Sequence, residues 1–153
     1  MITQDELKDF LNRNGIWYKI HEKESTVHTA DAAAKTGIPL DRIVKSLVCL
    51  GGEDFAIVCI IPGNCKLDTK KVEKLLGRKI RICPFQEAHE FSGYNPGATP
   101  PCFYERIDEV IVDKRVISQE TIFGGGGTNT SLLEIRPKDV VDLNGAKVAD
   151  IVV

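Results

Sequence analysis

The chain has 153 residues and a formal charge of −2 from 20 basic and 22 acidic side chains; it is 42% hydrophobic and 27% charged. That balance excludes a disordered chain and a protein that coats nucleic acid through overall positive charge, so any RNA contact must come from a local patch. The longest apolar run, from Phe55 to Pro62, has the length of a buried strand and falls far short of the roughly 18 residues of a membrane span.

In chain order, Thr3-Gln4-Asp5-Glu6 reads as a capping box, and Leu7, Phe10 and Leu11 then share one helical face that ends near Gly15. The N-terminus is acidic and lacks a basic stretch before an apolar one, so no signal peptide is expected and the cytoplasm is the expected location. Trp17 to Ile20 reads as a strand. Thr29 is positioned to cap a second helix through the run Ala32-Ala33-Ala34, which Gly37 stops. Two β-rich runs, Ile43 to Leu50 and Phe55 to Ile61, flank Gly51-Gly52 and predict a hairpin. Asp68 caps a third helix with Val72, Leu75 and Leu76 inward and Gly77 as its stop. A short strand over Lys79 to Ile82 and a helix from Pro84 to about Phe91 follow. Ser92 to Pro101 is a loop, Glu109 to Val112 and Ser131 to Ile135 are strands, and Gly124 to Gly127 breaks the chain between them. Pro137 to Val141 is one helical turn. Helices and strands interleave around a hairpin, which predicts a single α+β domain over 1–153 with a mixed sheet.

Four features stand out against this framework. Lys45 interrupts an apolar strand and shares its face with Leu47 and Cys49; the spacing fits either an edge-strand charge or an ammonium that orients a ligand. Gly97-Ala98-Thr99-Pro100-Pro101 is a rigid loop able to aim its remaining N–H groups at a ligand oxygen. Gly124 to Gly127 fits neither a P-loop nor GxGxxG; it is a hairpin or a place where backbones pass closely. Between Lys66 and Arg81 lie seven basic residues against two acidic ones. Lys66, Lys70, Lys74 and Arg78 recur every four residues, as a solvated helix face or a phosphate-contacting stripe.

The remaining polar chemistry is sparse. His21, His28 and His89 form no metal or triad spacing. Cys49, Cys59, Cys65, Cys83 and Cys102 include no CxxC, so no metal is expected; only Cys102 lies beside the unusual loop, and nothing in the sequence supplies it with a base. Asp113 ends an apolar strand and reads as a turn former or a partner for a lysine.

Together, the Ala32-Ala33-Ala34 helix followed by Gly37, the strand Ile43-Val44-Lys45-Ser46-Leu47, the GxxxP loop from Gly97 to Pro101, and the strand ending in Asp113 ahead of the Gly-rich segment resemble the YbaK / prolyl-tRNA synthetase-associated editing-domain family. The resemblance spans nearly the whole chain. It implies a partly closed, barrel-like β-sheet surrounded by helices. It also implies a freestanding deacylase that hydrolyses a mischarged aminoacyl-tRNA, with a small amino acid such as alanine or cysteine on the proline tRNA, and that needs no cofactor. The alternative is a non-catalytic module that grips a tRNA 3′ end or a nucleotide. Carried over residue by residue, Lys45 is the family's essential lysine. A lysine ammonium is a poor general base unless desolvated, so it would hold the substrate. Gly97 opens the loop whose amides stabilise the oxyanion, and Asp113 orients Lys45 or a water. His28, Ala98, Thr99, Pro101, Gly125 and Gly126 are the substrate-binding candidates. Lys66, Lys70, Lys74 and Arg78 are the tRNA contacts, with the acceptor end as partner, a synthetase as a possible second one, and no membrane. The sequence departs from the family pattern at Lys23, where some relatives carry Tyr, and at Ser46, where Thr is more usual.

Overall fold

A computed structural model describes residues 1–153. The capping box forms: the Thr3 hydroxyl accepts from the Glu6 N–H and the Glu6 carboxylate accepts from the Thr3 N–H, starting α1 (Gln4–Arg13). β1 (Tyr18–Glu22) leads to α2 (Thr29–Thr36). Here the expectation moves by one residue, because His28, not Thr29, is the N-cap and lends no side-chain bond; Gly37 stops the helix at φ 76° as its composition requires. A short 3₁₀ turn, Leu40–Arg42, delivers the chain into β2 (Val44–Leu50), which hairpins into β3 (Ala56–Pro62) in the register Lys45–Ile61. α3 (Thr69–Leu76) is capped by Asp68, β4 is only Arg81–Ile82, and α4 is the single turn His89–Ser92, shorter than the helix expected after Pro84. β5 (Glu109–Asp113) ends where Asp113 caps α5 (Lys114–Ile117). β6 (Ile122–Gly125), β7 (Ser131–Ile135), α6 (Pro137–Asn144) and β8 (Lys147–Ala149) complete the chain.

The strands make two sheets, a mixed five-stranded one in the order β4-β2-β3-β5-β8 and an antiparallel three-stranded one in the order β1-β7-β6. This is the expected single α+β domain with a mixed sheet. Neither sheet closes; the nearest approach to a barrel is one parallel bridge between Ile43 and Phe123 that stitches β2 to β6. Period-two alternation divides the five-stranded sheet between two cores. Val44, Val48, Val58, Ile60 and Val112 face α1, α6 and the smaller sheet through Leu7, Leu11, Val140 and Leu133. Cys49, Cys59, Ile61 and Ile111 face α3 and the C-terminal segment through Val72 and Ile151. Lys45, opposite Ile61, emerges on this second face at its open end.

β4 pairs only with Cys49 and Leu50, and the last bond of that ladder runs from the Cys83 N–H to the Val48 carbonyl at 2.9 Å. N–H and C=O groups of alternate residues point the same way along a strand, so Ser46 presents its backbone to the same side as Val48. Between β4 above and the Phe123 bridge below, Ser46 meets no strand. A cavity opens at this interruption.

Candidate active site

Three backbone segments converge opposite the interruption in β2. The lip 23–28 is tied to the β6–β7 hairpin: the Lys23 and Thr26 N–H groups donate to the Thr130 and Asn129 carbonyls at 2.9 and 3.0 Å. The Lys23 ammonium donates to the Asn129 carbonyl at 2.7 Å and to the Thr26 hydroxyl. Burial, and then the charge of Lys35, push its pKa down. Where the family resemblance expected a departure, Lys23 thus serves as a staple.

The glycines are explained by close approach. Gly97 has φ 85°, and a Cβ there would lie 2.7 Å from Val27 Cα. A Cβ on Gly125 would lie 2.5 Å from the Thr99 carbonyl oxygen, and one on Gly124 2.7 Å from Pro101 Cδ. Lip, Pro-rich loop and β6 therefore pack main chain against main chain, which no larger residue permits.

These segments and β2 enclose a cavity of about 630 Å³, within the range of small-molecule sites. Lys45, His28, Gly97, Thr99 and Gly125 all line it, brought together from across the sequence. The Lys45 ammonium donates to the Cys65 carbonyl at 3.0 Å, its only hydrogen bond within the chain. The N–H groups of Gly97 and Thr99 donate to no protein acceptor, whereas that of Ala98 closes a turn onto the Asn95 carbonyl at 3.0 Å. Ser46 Oγ is buried without a partner; the neighbouring Tyr104 phenol, its pKa pushed well up by burial, instead donates to the Pro100 carbonyl at 2.7 Å.

Other candidate residues lie elsewhere. Ala98 is buried and has spent its donor. Pro101 has no N–H, and its carbonyl accepts from Asn144 Nδ2 at 2.9 Å. Gly126 is buried, with its carbonyl taken by Gln4 Nε2 at 2.8 Å. None of the three lines the cavity.

Asp113 corrects the expectation that it orients Lys45 directly. Its fully buried carboxylate accepts from the Arg115 and Ile151 N–H groups at 3.0 Å each and pairs with the Arg115 guanidinium at 3.3 Å. No contact joins it to Lys45. Cys102 is fully buried in the core and does not line the cavity, and burial pushes its pKa up to about 12, which disfavours the thiolate.

The basic stripe is also redistributed. Arg78 lies over the Phe55 ring at 3.9 Å and donates to the Gly51 carbonyl at 2.7 Å, and Lys70 pairs with Glu73 at 3.5 Å. Lys66 and Lys74, with Lys79 and Arg81, remain exposed and without an acidic partner. Arg81 adjoins the cavity residue Ile82, and Lys66 adjoins Cys65.

Sequence reasoning missed the rim of the cavity. Phe85, Ile82 and Val27 all line it and are substantially exposed. The Phe85 and His28 rings stack across the rim, with centroids 5.9 Å apart. The available signal was an aromatic residue in the otherwise polar Pro84-Phe85-Gln86-Glu87 turn, a position that earns no burial.

No helix is long and apolar enough to cross a membrane. A family model for the aminoacyl-tRNA editing domain matches residues 21–143. YwhH of Bacillus subtilis, an uncharacterized protein, is 32% identical over 130 residues, covering 84% of this chain and 83% of its own. EbsC of Enterococcus faecalis, named as a candidate Cys-tRNA(Pro)/Cys-tRNA(Cys) deacylase, is 25% identical over 135 residues, covering 88% of this chain and 82% of its own. The crystal structure of a candidate trans-editing enzyme for prolyl-tRNA synthetase matches with a TM-score of 0.86 and 29% identity over 98% of this chain and 96% of that one. With the fold and cavity already described, these matches define the class: an enzyme that hydrolyses an aminoacyl-tRNA ester. The chain belongs to the aminoacyl-tRNA editing-domain family.

Proposed function

We propose that the chain is a trans-editing deacylase that clears a small, wrongly attached amino acid, alanine or cysteine, from the proline tRNA. One observation carries the reading: Lys45, Gly97 and Thr99 line the same cavity, the lysine with a single acceptor within the chain and the two backbone N–H groups with none. Preorganised donors of this kind favour the charge that develops on an ester carbonyl under attack. Water adds to the carbonyl carbon, the bond to the ribose oxygen breaks, and the water's proton ends on that oxygen. The products are a free amino acid and a tRNA with its terminal hydroxyl restored. The vicinal ribose hydroxyl activates the water, and His28, which lines the same cavity, stacks with Phe85 at the rim.

The cavity volume suits an aminoacylated nucleoside, not a folded RNA. The terminal base stacks on Phe85 and His28 at the rim, while Lys66, Lys74, Lys79 and Arg81 meet phosphates beyond it. The name of the Enterococcus relative supports cysteine as one substrate. Discrimination by a methylene is worth only about 1–3 kcal/mol, so the substrate set is decided by assay.

The test is deacylation of proline tRNA charged separately with alanine, cysteine and proline, by the wild type and Lys45→Ala. Release of alanine or cysteine, sparing proline and lost in the variant, is the expected outcome. Salt-sensitive tRNA binding with no release from these or a wider panel would replace the enzyme with a binding module.

A further inference from the structure

Lys45 has a long stem with many rotamers, and a single carbonyl fixes its charged end. What fixes that carbonyl is therefore part of the site. Cys65 lies in the short connection between β3 and α3. The start of this connection is held by the Gly63 N–H on the Ile43 carbonyl at 2.7 Å and the Cys65 N–H on the Pro62 carbonyl at 3.0 Å.

Its other end is held by a segment from the opposite side of the sequence. The Val153 N–H donates to the Lys66 carbonyl at 2.9 Å, Leu67 bridges to Val152, and the Asp68 N–H donates to the Ile151 carbonyl at 2.8 Å. The 151–153 segment is itself anchored at each step. Asp113 Oδ1 accepts the Ile151 N–H at 3.0 Å. The Lys71 ammonium donates to the Val152 carbonyl at 2.7 Å and to Asp150 at 3.0 Å, and Asp150 pairs with Arg115 at 2.9 Å.

We propose that the 151–153 segment, anchored by Asp113 and Lys71, is a positioning strap that sets the Lys45 ammonium through the Cys65 carbonyl. Asp113 and Lys71 are positioning residues: neither lines the cavity. The proposal rests on the deacylase reading for its kinetic consequence, though not for its structural one. The strap holds the 66–68 main chain, and the adjoining Cys65 carbonyl accepts from the Lys45 ammonium, so loosening the strap changes where the ammonium spends its time without removing any group from the cavity.

The test uses two mild substitutions in the full chain. Lys71→Met keeps the apolar stem and removes both polar ties. Val153→Pro removes one N–H from a residue that is 83% exposed. Lys147→Met, which breaks the ion pair to Glu109 on the far edge, is the matched control. Two readouts are taken: kcat and KM for deacylation, and the side-chain NMR resonance of Lys45 in lysine-labelled protein, assigned by its loss in Lys45→Arg.

Misplacement of a reacting group by an ångström can cost up to about 100-fold; about a tenfold fall in kcat at unchanged KM is expected for Lys71→Met, and a smaller one for Val153→Pro. The Lys45 resonance should shift in both and stay put in the control. An unmoved resonance with unchanged kcat in both variants would overturn the proposal, leaving the strap a stabilising element only. A raised KM at unchanged kcat in Lys71→Met would overturn it by making Lys71 a phosphate contact. If the wild type releases no amino acid, the deacylase reading fails and the Lys45 resonance alone decides the positioning claim.

Discussion

The two edges of the five-stranded sheet are finished in opposite ways. On the β8 side, the Asp113 carboxylate is fully buried and both its oxygens are satisfied; a chain of ion pairs runs from it through Arg115 and Asp150 to Lys71. On the β2 side, the ladder stops, Ser46 Oγ has no partner and two loop N–H groups donate to nothing. A buried polar group left unpaired costs stability, while the partly exposed N–H groups of Gly97 and Thr99 are open to a ligand or water. The two edges thus separate two charged residues that both sit near the end of a strand: Asp113 is saturated by protein partners, whereas Lys45 makes one hydrogen bond and lines a cavity.

The comparison breaks first at Lys45. Lys45→Ala should lower the deacylation rate by at least about 100-fold, the scale of losing one preorganised donor, while urea melts stay within about 0.5 kcal/mol of wild type. Equal losses of activity and stability would make Lys45 structural. Next is Gly97→Ala, which places a Cβ against the Val27 main chain at positive φ. A cost of about 1–3 kcal/mol in urea melts is expected, together with a fall in kcat as the loop donors shift. Phe85→Ala should raise KM about tenfold with kcat little changed, since stacking on one aromatic side chain is worth about 1–3 kcal/mol per base; equal KM values would remove the rim from tRNA recognition.

The smallest effect lies on the saturated edge. Hydrogen bonds from Lys71 and then Arg115 lower the Asp150 pKa from 3.8 to about 2. A carboxylate depressed in the folded state contributes stability above its unfolded pKa and loses it as pH falls through the folded one. Acid melts should therefore weaken between about pH 4 and pH 2, and Asp150→Asn should flatten that limb while leaving the rest of the profile parallel.

Much of this arrangement was legible in the chain. The capping box at Thr3 and Glu6, the hairpin across Gly51-Gly52 and the Asp68-to-Gly77 helix are local devices, and each formed where composition placed it. Lys45 was conspicuous because charge inside an apolar alternation is rare. Elements that depend on distant partners were not legible. β6 runs into the glycines because Thr99 and Pro101 pass within contact distance of them, and β8 is only three residues long and begins with a lysine. Asp113 was visible as a strand-ending acid, but its partner, the Ile151 N–H, is a main-chain group that no sequence pattern marks. The rim at Phe85 was missed for the opposite reason, because that residue is marked by exposure, not burial.

An open strand edge ordinarily invites another chain to add a strand, the first step toward aggregation. The exposed part of β2 is too short for that: β4 covers Cys49 and Leu50, and Phe123 covers Ile43. A second polypeptide cannot lay a ladder along the single uncovered stretch around Ser46, while one compact ligand can reach it. Bounding the gap at both ends therefore leaves a short polar stretch of strand edge that does not act as a template for self-assembly.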